Sequence, residues 1–391
     1  MLKRLFYVSA LFVCLAPLFV GCGDGGSSDA DLKAYVENYA ALVYANYQEV
    51  ETGLKALQKA TDELVANPSE ATLKAAKDAW LKVRDPYGQT EVYRFYAGPI
   101  DDDRGLEGRI NPWPIDENFI DYVKDNDKAG IINDTTTYPT IDESALTGAN
   151  EKGGEKNISL GFHAIEFLLW GQDFSETTPG TRPYTDYVTD GSGTASNQER
   201  RGQYLKLVVS ILLKDFQDVM KEWTPDTSGN FRDKFVNGDV NEALKKILTG
   251  MGKLSNGELA GERMTTPYNE KDQEEEHSCF SDNTRADILN NAMGVQNVYL
   301  GKYGSVSGKS LDDLVRAKDA TLADKLKSEL EATVTAIKAI PNPFDQAIVG
   351  DDSADGRKKV KAAIDALKAQ AVTIAAVAKL FNITVVTELE D

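Results

Sequence analysis

His163 and Glu166 stand three residues apart in the segment Gly161-Phe162-His163-Ala164-Ile165-Glu166-Phe167-Leu168-Leu169-Trp170-Gly171. On a helix that spacing puts the imidazole and the carboxylate on one face. The residues around them are strongly apolar, so the predicted helix is buried on most sides. An ionised carboxylate there is costly unless it meets a cation, a metal or several donors. Glu166 therefore predicts a partner. Gly161, with no side chain, lets another backbone or a ligand come close to His163.

A second constellation is Trp80, Arg84, Tyr87 and Glu91, spaced four, three and four apart and so on one helix face. Arg84 and Glu91 either line a polar cavity or pair with each other across the kink expected at Pro86. A third lies near the middle of the second half. Glu262 and Arg263 sit near the end of an amphipathic helix, where charges are usually exposed. The Glu274-Glu275-Glu276-His277 run reads as a solvated face. Ser278 to Thr284 reads as a loop with a helix cap at Asp282 or Thr284.

These residues narrow the chemistry. Only two histidines occur in the 391 residues, His163 and His277, which excludes a three-histidine site within one chain. Zinc peptidases use H-E-x-x-H or H-x-x-E-H, and Phe167 occupies the place of the second histidine in the inverted form. A zinc site would have to draw on His277 or on carboxylates from the other half, and would still need a general base. The spacing of His163 and Glu166 suits a carboxylate-rich metal site that Glu91, Glu276 or Asp282 could complete. Di-iron bundles use two Glu-x-x-His helices, and this chain has none in that order. No Gly-x-Ser-x-Gly elbow supports a serine nucleophile. Cys279 reads as a buried structural cysteine, because its acidic neighbours disfavour a thiolate. Asp101-Asp102-Asp103 with Gly105 reads as a solvated turn rather than a calcium loop.

The elements that must position these groups read as helices nearly throughout, with no convincing alternating strands. Leu32, Tyr35, Val36, Tyr39, Leu42, Val43, Tyr47, Val50, Leu54, Leu57 and Leu64 form one long stripe. Asn67-Pro68-Ser69-Glu70 reads as a cap, an N1 proline and a capping-box glutamate opening the helix of Trp80. Residues 97–157 read as irregular, with one short helix near Glu117 to Val123, and residues 171–197 as a second Gly/Ser/Thr-rich stretch. Helices then follow over Tyr204 to Trp223, Leu244 to Leu254, Thr284 to Tyr299, Ser310 to Lys318, Thr321 to Ile340 and Ser353 to Phe381. The fold class is all-α: two helical bundles, residues 31–185 and 186–391, with the site at or near their interface.

The N-terminus opens Met-Leu-Lys-Arg and continues as an apolar run of roughly 16 residues from Leu5 to Val20, a secretory signal too short for a stable membrane span. Leu18-Phe19-Val20-Gly21-Cys22 resembles the bacterial lipoprotein box. This predicts removal of residues 1–21, lipid on Cys22 and a flexible tether over 22–30. Cys14 leaves with the signal, so the mature chain keeps one thiol, Cys279, and no internal disulfide. Net charge is −19, from 43 basic and 62 acidic residues, which excludes the basic stripe that a nucleic-acid backbone requires.

G-x-H-x-x-E is the signature of the imelysin-like family, bacterial envelope proteins first described as an insulin-cleaving membrane protease, and Gly161–Glu166 resembles it. Ala79-Trp80-Leu81-Lys82-Val83-Arg84-Asp85-Pro86-Tyr87, continuing through Glu91 to Phe95, is similar to a second family block. Gly257-Glu258-Leu259-Ala260-Gly261-Glu262-Arg263-Met264, then Glu275 to Thr284, is similar to a third. The three cover most of the mature chain in the family's order. The resemblance implies association with bacterial iron uptake; with the lipoprotein box it predicts a lipid-anchored protein of the cell envelope, at the outer membrane or facing the periplasm. Such a protein would bind iron or an iron-containing ligand and work with other envelope components. It also implies that Arg84, Tyr87, Glu91, Arg263, Glu276, Ser278, Ser281 and Asp282 gather round His163 and Glu166. In that arrangement His163 and Glu166 are the metal ligands or hydrogen-bonding anchors, and Arg84 and Arg263 balance carboxylates or hold an anionic group. Iron is the expected metal ahead of zinc. The alternatives are a metallopeptidase using the H-x-x-E pair and a non-catalytic interaction module.

Overall fold

The structure is a computed structural model that describes residues 28–389. The expected signal segment with Cys14, the expected lipid site at Cys22 and the expected tether as far as residue 27 lie outside the described residues. Helix α1, Asp29–Ala66, begins where the tether was expected still to run, because Ser28 forms a reciprocal capping box with Asp31. It buries the whole apolar stripe from Leu32 to Leu64. Helix α2, Glu70–Gly88, is capped by Ser69 with Thr72, so Pro68 precedes the cap instead of occupying the first turn. The helix continues through Pro86 for two residues. Here the proline falls in the last turn, and its carbonyl oxygen accepts a 2.9 Å bond from Asn46 Nδ2.

Helix α3, Gly161–Trp170, carries the His163–Glu166 pair, and all ten of its residues are buried. It packs against α2 and against α4, Gln198–Lys221, which also lies along α1. The packing therefore joins α4 to the first group of helices, although it follows residue 185, at which the boundary was expected. Its apolar face is the reason: Phe216 meets Tyr47 of α1 at 5.2 Å between ring centroids, and the Tyr204 hydroxyl donates to the carbonyl of Ser159.

Beyond α4, helix α5 (Val240–Lys253) is capped by Asp239 and runs directly into a π-helical segment, Leu254–Thr265. Helix α6 is Thr284–Leu300. A two-residue hairpin follows, with Lys302 opposite Ser307 and Tyr303 opposite Val306. Then come α7 (Leu311–Lys318), α8 (Ala320–Lys338) and α9 (Asp355–Leu380). The π-helical segment and α5 pack on α9, α9 on α8, and α8 on α6. Helix α6 in turn packs on α2, which closes the seam between the two groups. No helix among the described residues is long and apolar enough to cross a membrane.

The irregular stretches are held by buried charge rather than by regular structure. Asp121 accepts from Arg182 Nη1 at 2.7 Å and from Arg201 Nε and Nη2 at 2.6 and 2.9 Å. Burial opposes the Asp121 charge, but the two arginines hold its carboxyl below the usual range. This knot ties the 97–157 stretch and the 171–197 stretch to α4.

Candidate functional site

The start of α3 is set by Gly161, whose φ of +83° strains any L side chain. A Cβ there would lie 2.7 Å from the carbonyl oxygen of Ile110 and 2.8 Å from Pro112 Cδ. The missing side chain thus lets the segment carrying Asn111 press against the turn that carries His163. On the other side, Trp80 Nε1 donates to the carbonyl of Phe162 at 3.0 Å.

His163 Nδ1 lies 2.8 Å from Glu166 Oε2. The other carboxylate oxygen, Oε1, accepts from the Ser281 backbone N–H at 2.9 Å and from its hydroxyl at 2.6 Å. Burial pushes the Glu166 carboxyl up to about 8, with Ser281 and Arg84 pulling the other way. Burial, then His277 and Arg84, push the His163 imidazolium well below its usual range. At neutral pH the pair therefore shares one proton, and His163 Nε2 has no hydrogen-bond partner among the described residues.

A second knot lies beside the first. The His277 ring sits 4.6 Å from that of His163 and 5.7 Å from Trp113, measured between centroids. Asp287 of α6 receives Arg84 Nε at 3.2 Å, Arg84 Nη2 at 2.7 Å and the Ser278 hydroxyl at 2.6 Å, and it lies 2.9 Å from His277 Nδ1. Burial opposes the Asp287 charge, yet Arg84 and then His277 hold its carboxyl far below the usual range. Arg84 Nη1 also donates to Asn111 Oδ1 at 2.6 Å, which orients the Asn111 amide so that its NH₂ faces His277 Nε2 at 3.3 Å. Burial, then Arg263, lower the His277 imidazolium to about 4, so the ring is neutral with its proton on Nδ1.

The third knot is built on Arg263, which is 2% exposed. It donates to Glu91 at 2.6 Å, to Glu258 at 2.8 Å and to Asn291 at 2.6 Å. Glu91 also receives Arg94 at 2.9 Å, and its carboxyl is pulled to about 2 by Arg263 and Arg94 against burial. Arg84 and Glu91 thus do not pair with each other, as one reading of their spacing allowed; each takes a partner from the second group of helices. Arg263 is buried rather than exposed because the wider π-helical turn directs it to the α2–α6 seam.

The ten residues expected round one centre divide accordingly. His163, Glu166 and Ser281 form one knot, Arg84 and Ser278 a second, Glu91 and Arg263 a third. Tyr87 packs against Phe162 with ring centroids 4.6 Å apart, and its buried hydroxyl has no hydrogen-bond partner among the described residues. Glu276 and Asp282 are elsewhere. The Glu276 carboxyl borders Asp345, while only its backbone carbonyl reaches this region, accepting from Trp113 Nε1 at 2.8 Å. Asp282, with φ +57°, turns toward Asp173 and Asp345, and the cap of α6 falls on Asn283. Asp287, Asn291, Asn111, Trp113 and Arg94 were not anticipated. The buried polar stripe Asp287, Asn290, Asn291 on an otherwise apolar helix was the available sign of the first two.

A cavity of about 340 Å³ opens over these knots, lined by Arg94, Glu107, Asn111, Trp113, Glu151, Glu155, Glu258, Arg263 and His277. His277, not His163, reaches it. His163 and Glu166 are 1% and 0% exposed and lie behind the His277 ring, and it is the Ile110–Pro112 backbone, not a ligand, that Gly161 admits beside His163. A larger groove of about 510 Å³ lies between α1 and residues 224–237, but no buried ionisable groups converge on it. Four glutamates against two arginines make the smaller cavity attractive to cations.

One consequence is measurable. Because the Glu166 carboxyl titrates near 8 in the folded chain and near 4.5 unfolded, its stabilising contribution is complete below about pH 4.5 and is lost as pH rises through 8. Glu166→Gln is expected to reduce the decline in unfolding free energy between pH 5 and pH 8, as read from urea melts. Equal declines in the two proteins would contradict the assignment.

The family model described as Imelysin matches residues 43–374. Iron-regulated protein A of Synechococcus elongatus is 26% identical over 343 residues, covering 85% of this chain and 82% of that protein. A structure from Parabacteroides distasonis, assigned as an iron-regulated protein A precursor, superposes with a TM-score of 0.72 at 24% identity, covering 92% of this chain and 97% of the other. An imelysin-like protein from Psychrobacter arcticum gives 0.66 at 16% identity, covering 92% and 98%. With the family model spanning α1 to α9, and the same all-α fold in both solved structures, this chain belongs to the imelysin family.

Proposed function

We propose that the protein captures iron, as the ion or within an iron-bearing ligand, at the floor of the cavity, where His277 turns from Asn111 to bring its Nε2 beside that of His163. In this reading it acts at the bacterial cell envelope, held there by lipid on Cys22, and passes its cargo to other envelope components of iron uptake. The observation that carries the reading is the buried imidazole pair beneath a cavity rimmed by carboxylates, with His163 Nε2 unpartnered. Imidazole nitrogen and carboxylate oxygen are donors that suit iron. Both nitrogens of His277 have neighbours, Asp287 and the more distant Asn111 at 3.3 Å. Opening the longer contact frees a second nitrogen beside His163 Nε2. Glu91 Oε1 is a further unpartnered donor. Arg94 and Arg263 would hold an anionic part of a chelated ligand. The name of the Synechococcus relative points the same way.

Hydrolysis of a peptide bond would need a carboxylate free to activate water. Both oxygens of Glu166 are engaged, by Ser281 and by His163, so the geometry favours binding over catalysis. Calorimetric titration with Fe²⁺ under nitrogen and with ferric citrate is expected to show saturable binding. His163→Ala and His277→Ala are each expected to weaken it at least about tenfold, the loss of one strong metal–nitrogen contact. Absence of binding to both forms by the wild type would overturn the reading.

A further inference from the structure

Away from the cavity a second group of acids converges. Asp173 follows α3, Glu276 and Asp282 lie in the segment before α6, and Asp345 lies in the connection between α8 and α9. Carboxylate oxygens of Asp173, Asp282 and Asp345 all lie within 4.8 Å of one another. Asp345 is 1% exposed and neither of its carboxylate oxygens has a hydrogen-bond partner among the described residues. Glu276 is fully buried and makes no hydrogen bond of good geometry among the described residues; its carboxyl borders Asp345 and the Thr284 hydroxyl and feels Asp282. Asp173 Oδ2 and Asp282 Oδ1 are unpartnered as well. The charges acting most strongly on Asp282 are Asp345 and Asp173, both acids. Four carboxyls so placed repel one another unless something positive stands between them.

We propose that Asp173, Asp282, Asp345 and Glu276 bind a divalent cation of the calcium class, which clamps the segment carrying His277 and Ser281 between α3 and the α8–α9 connection. The donors are all oxygen, which selects a hard cation over zinc or copper. Two oxygens on opposite sides of a calcium ion, each at about 2.4 Å, stand about 4.8 Å apart, so the spread of the three aspartates needs no rearrangement, and Glu276 joins them from beside Asp345. The cation would join three stretches of chain distant in sequence. It would also fix the segment from which Ser281 donates to Glu166 and His277 meets Asp287. Protons are the rival occupant, neutralising the acids without a metal. This site does not depend on the iron reading, since it shares no ligand with the His163 and His277 knots.

The test uses the mature chain, freed of metal with EDTA and dialysed. Calcium chloride is expected to bind with one-site saturable heat, and at millimolar concentration to raise Tm by about 3–8 °C. Asp345→Asn and Asp282→Asn relieve repulsion and are expected to remain folded by circular dichroism. Each is expected to bind calcium at least about tenfold more weakly and to lose the Tm increment. His163→Ala should keep the full calcium response. A wild-type Tm unmoved by calcium would overturn the proposal in favour of protons. So would an equal rise in wild type and both aspartate variants, or loss of the response in His163→Ala.

Discussion

Asp287→Ala is expected to lower the unfolding free energy by about 3–5 kcal/mol, the cost of stranding a buried charge. Asp287 and Arg84 are each 1% exposed, and the carboxylate takes two guanidinium bonds, the Ser278 hydroxyl and the amide of Asn283. Without it Arg84 has no buried counter-charge, and its remaining strong partner is Asn111. The His277 ring also loses the acceptor that fixes its tautomer. Asp287→Asn keeps the shape and one acceptor but not the charge, so it is expected to fall between the alanine variant and wild type. Urea unfolding followed by tryptophan fluorescence reads both. A loss below about 1 kcal/mol in the alanine variant, the size of an exposed pair, would mean that water reaches Arg84.

Gly161→Ala is expected to cost about 2–5 kcal/mol, combining backbone strain with overpacking. The added methyl would meet the Ile110 carbonyl and Pro112 at under 3 Å, and both belong to the segment that positions Asn111. Relaxing the clash moves Asn111 away from His277, a contact that iron binding itself opens, so the loss is expected in stability rather than in iron affinity. Gly148 supplies the control: it lies in the short helix Glu143–Ala149, and nothing stands within 4 Å of a Cβ there. Gly148→Ala is expected to be neutral or stabilising by up to about 1 kcal/mol, the difference in helix propensity. Equal melting temperatures for the two alanine variants would show that residues 110–112 yield freely.

How much of the site could be read beforehand depends on whether a residue announces itself locally. Glu166 did, because a carboxylate inside so apolar a ten-residue segment must find donors wherever the chain takes it. Its donor, Ser281, could be drawn only from the family resemblance. Arg263 did not, since a charge near the end of an amphipathic helix is ordinarily solvated. Glu276 misled for the opposite reason: it adjoins His277 in sequence, but successive side chains in an extended segment diverge, and its carboxyl turns to Asp345.

The order of the helices, their apolar faces and most of their caps were settled by residues within a few turns of one another. A helix of this length chooses its buried stripe from its own periodicity. Which charge meets which was decided only when α2, α3, the 254–283 segment and α6 closed on one another. Arg84 with Asp287 and Arg263 with Glu91 are separated by more than a hundred residues along the chain, and no local spacing encodes such a pair. The same closure set His277 in front of His163 and collected three distant aspartates at one point. Local propensity acts along the chain, whereas the partner of a buried charge is chosen by whatever surface happens to be opposite when water is expelled.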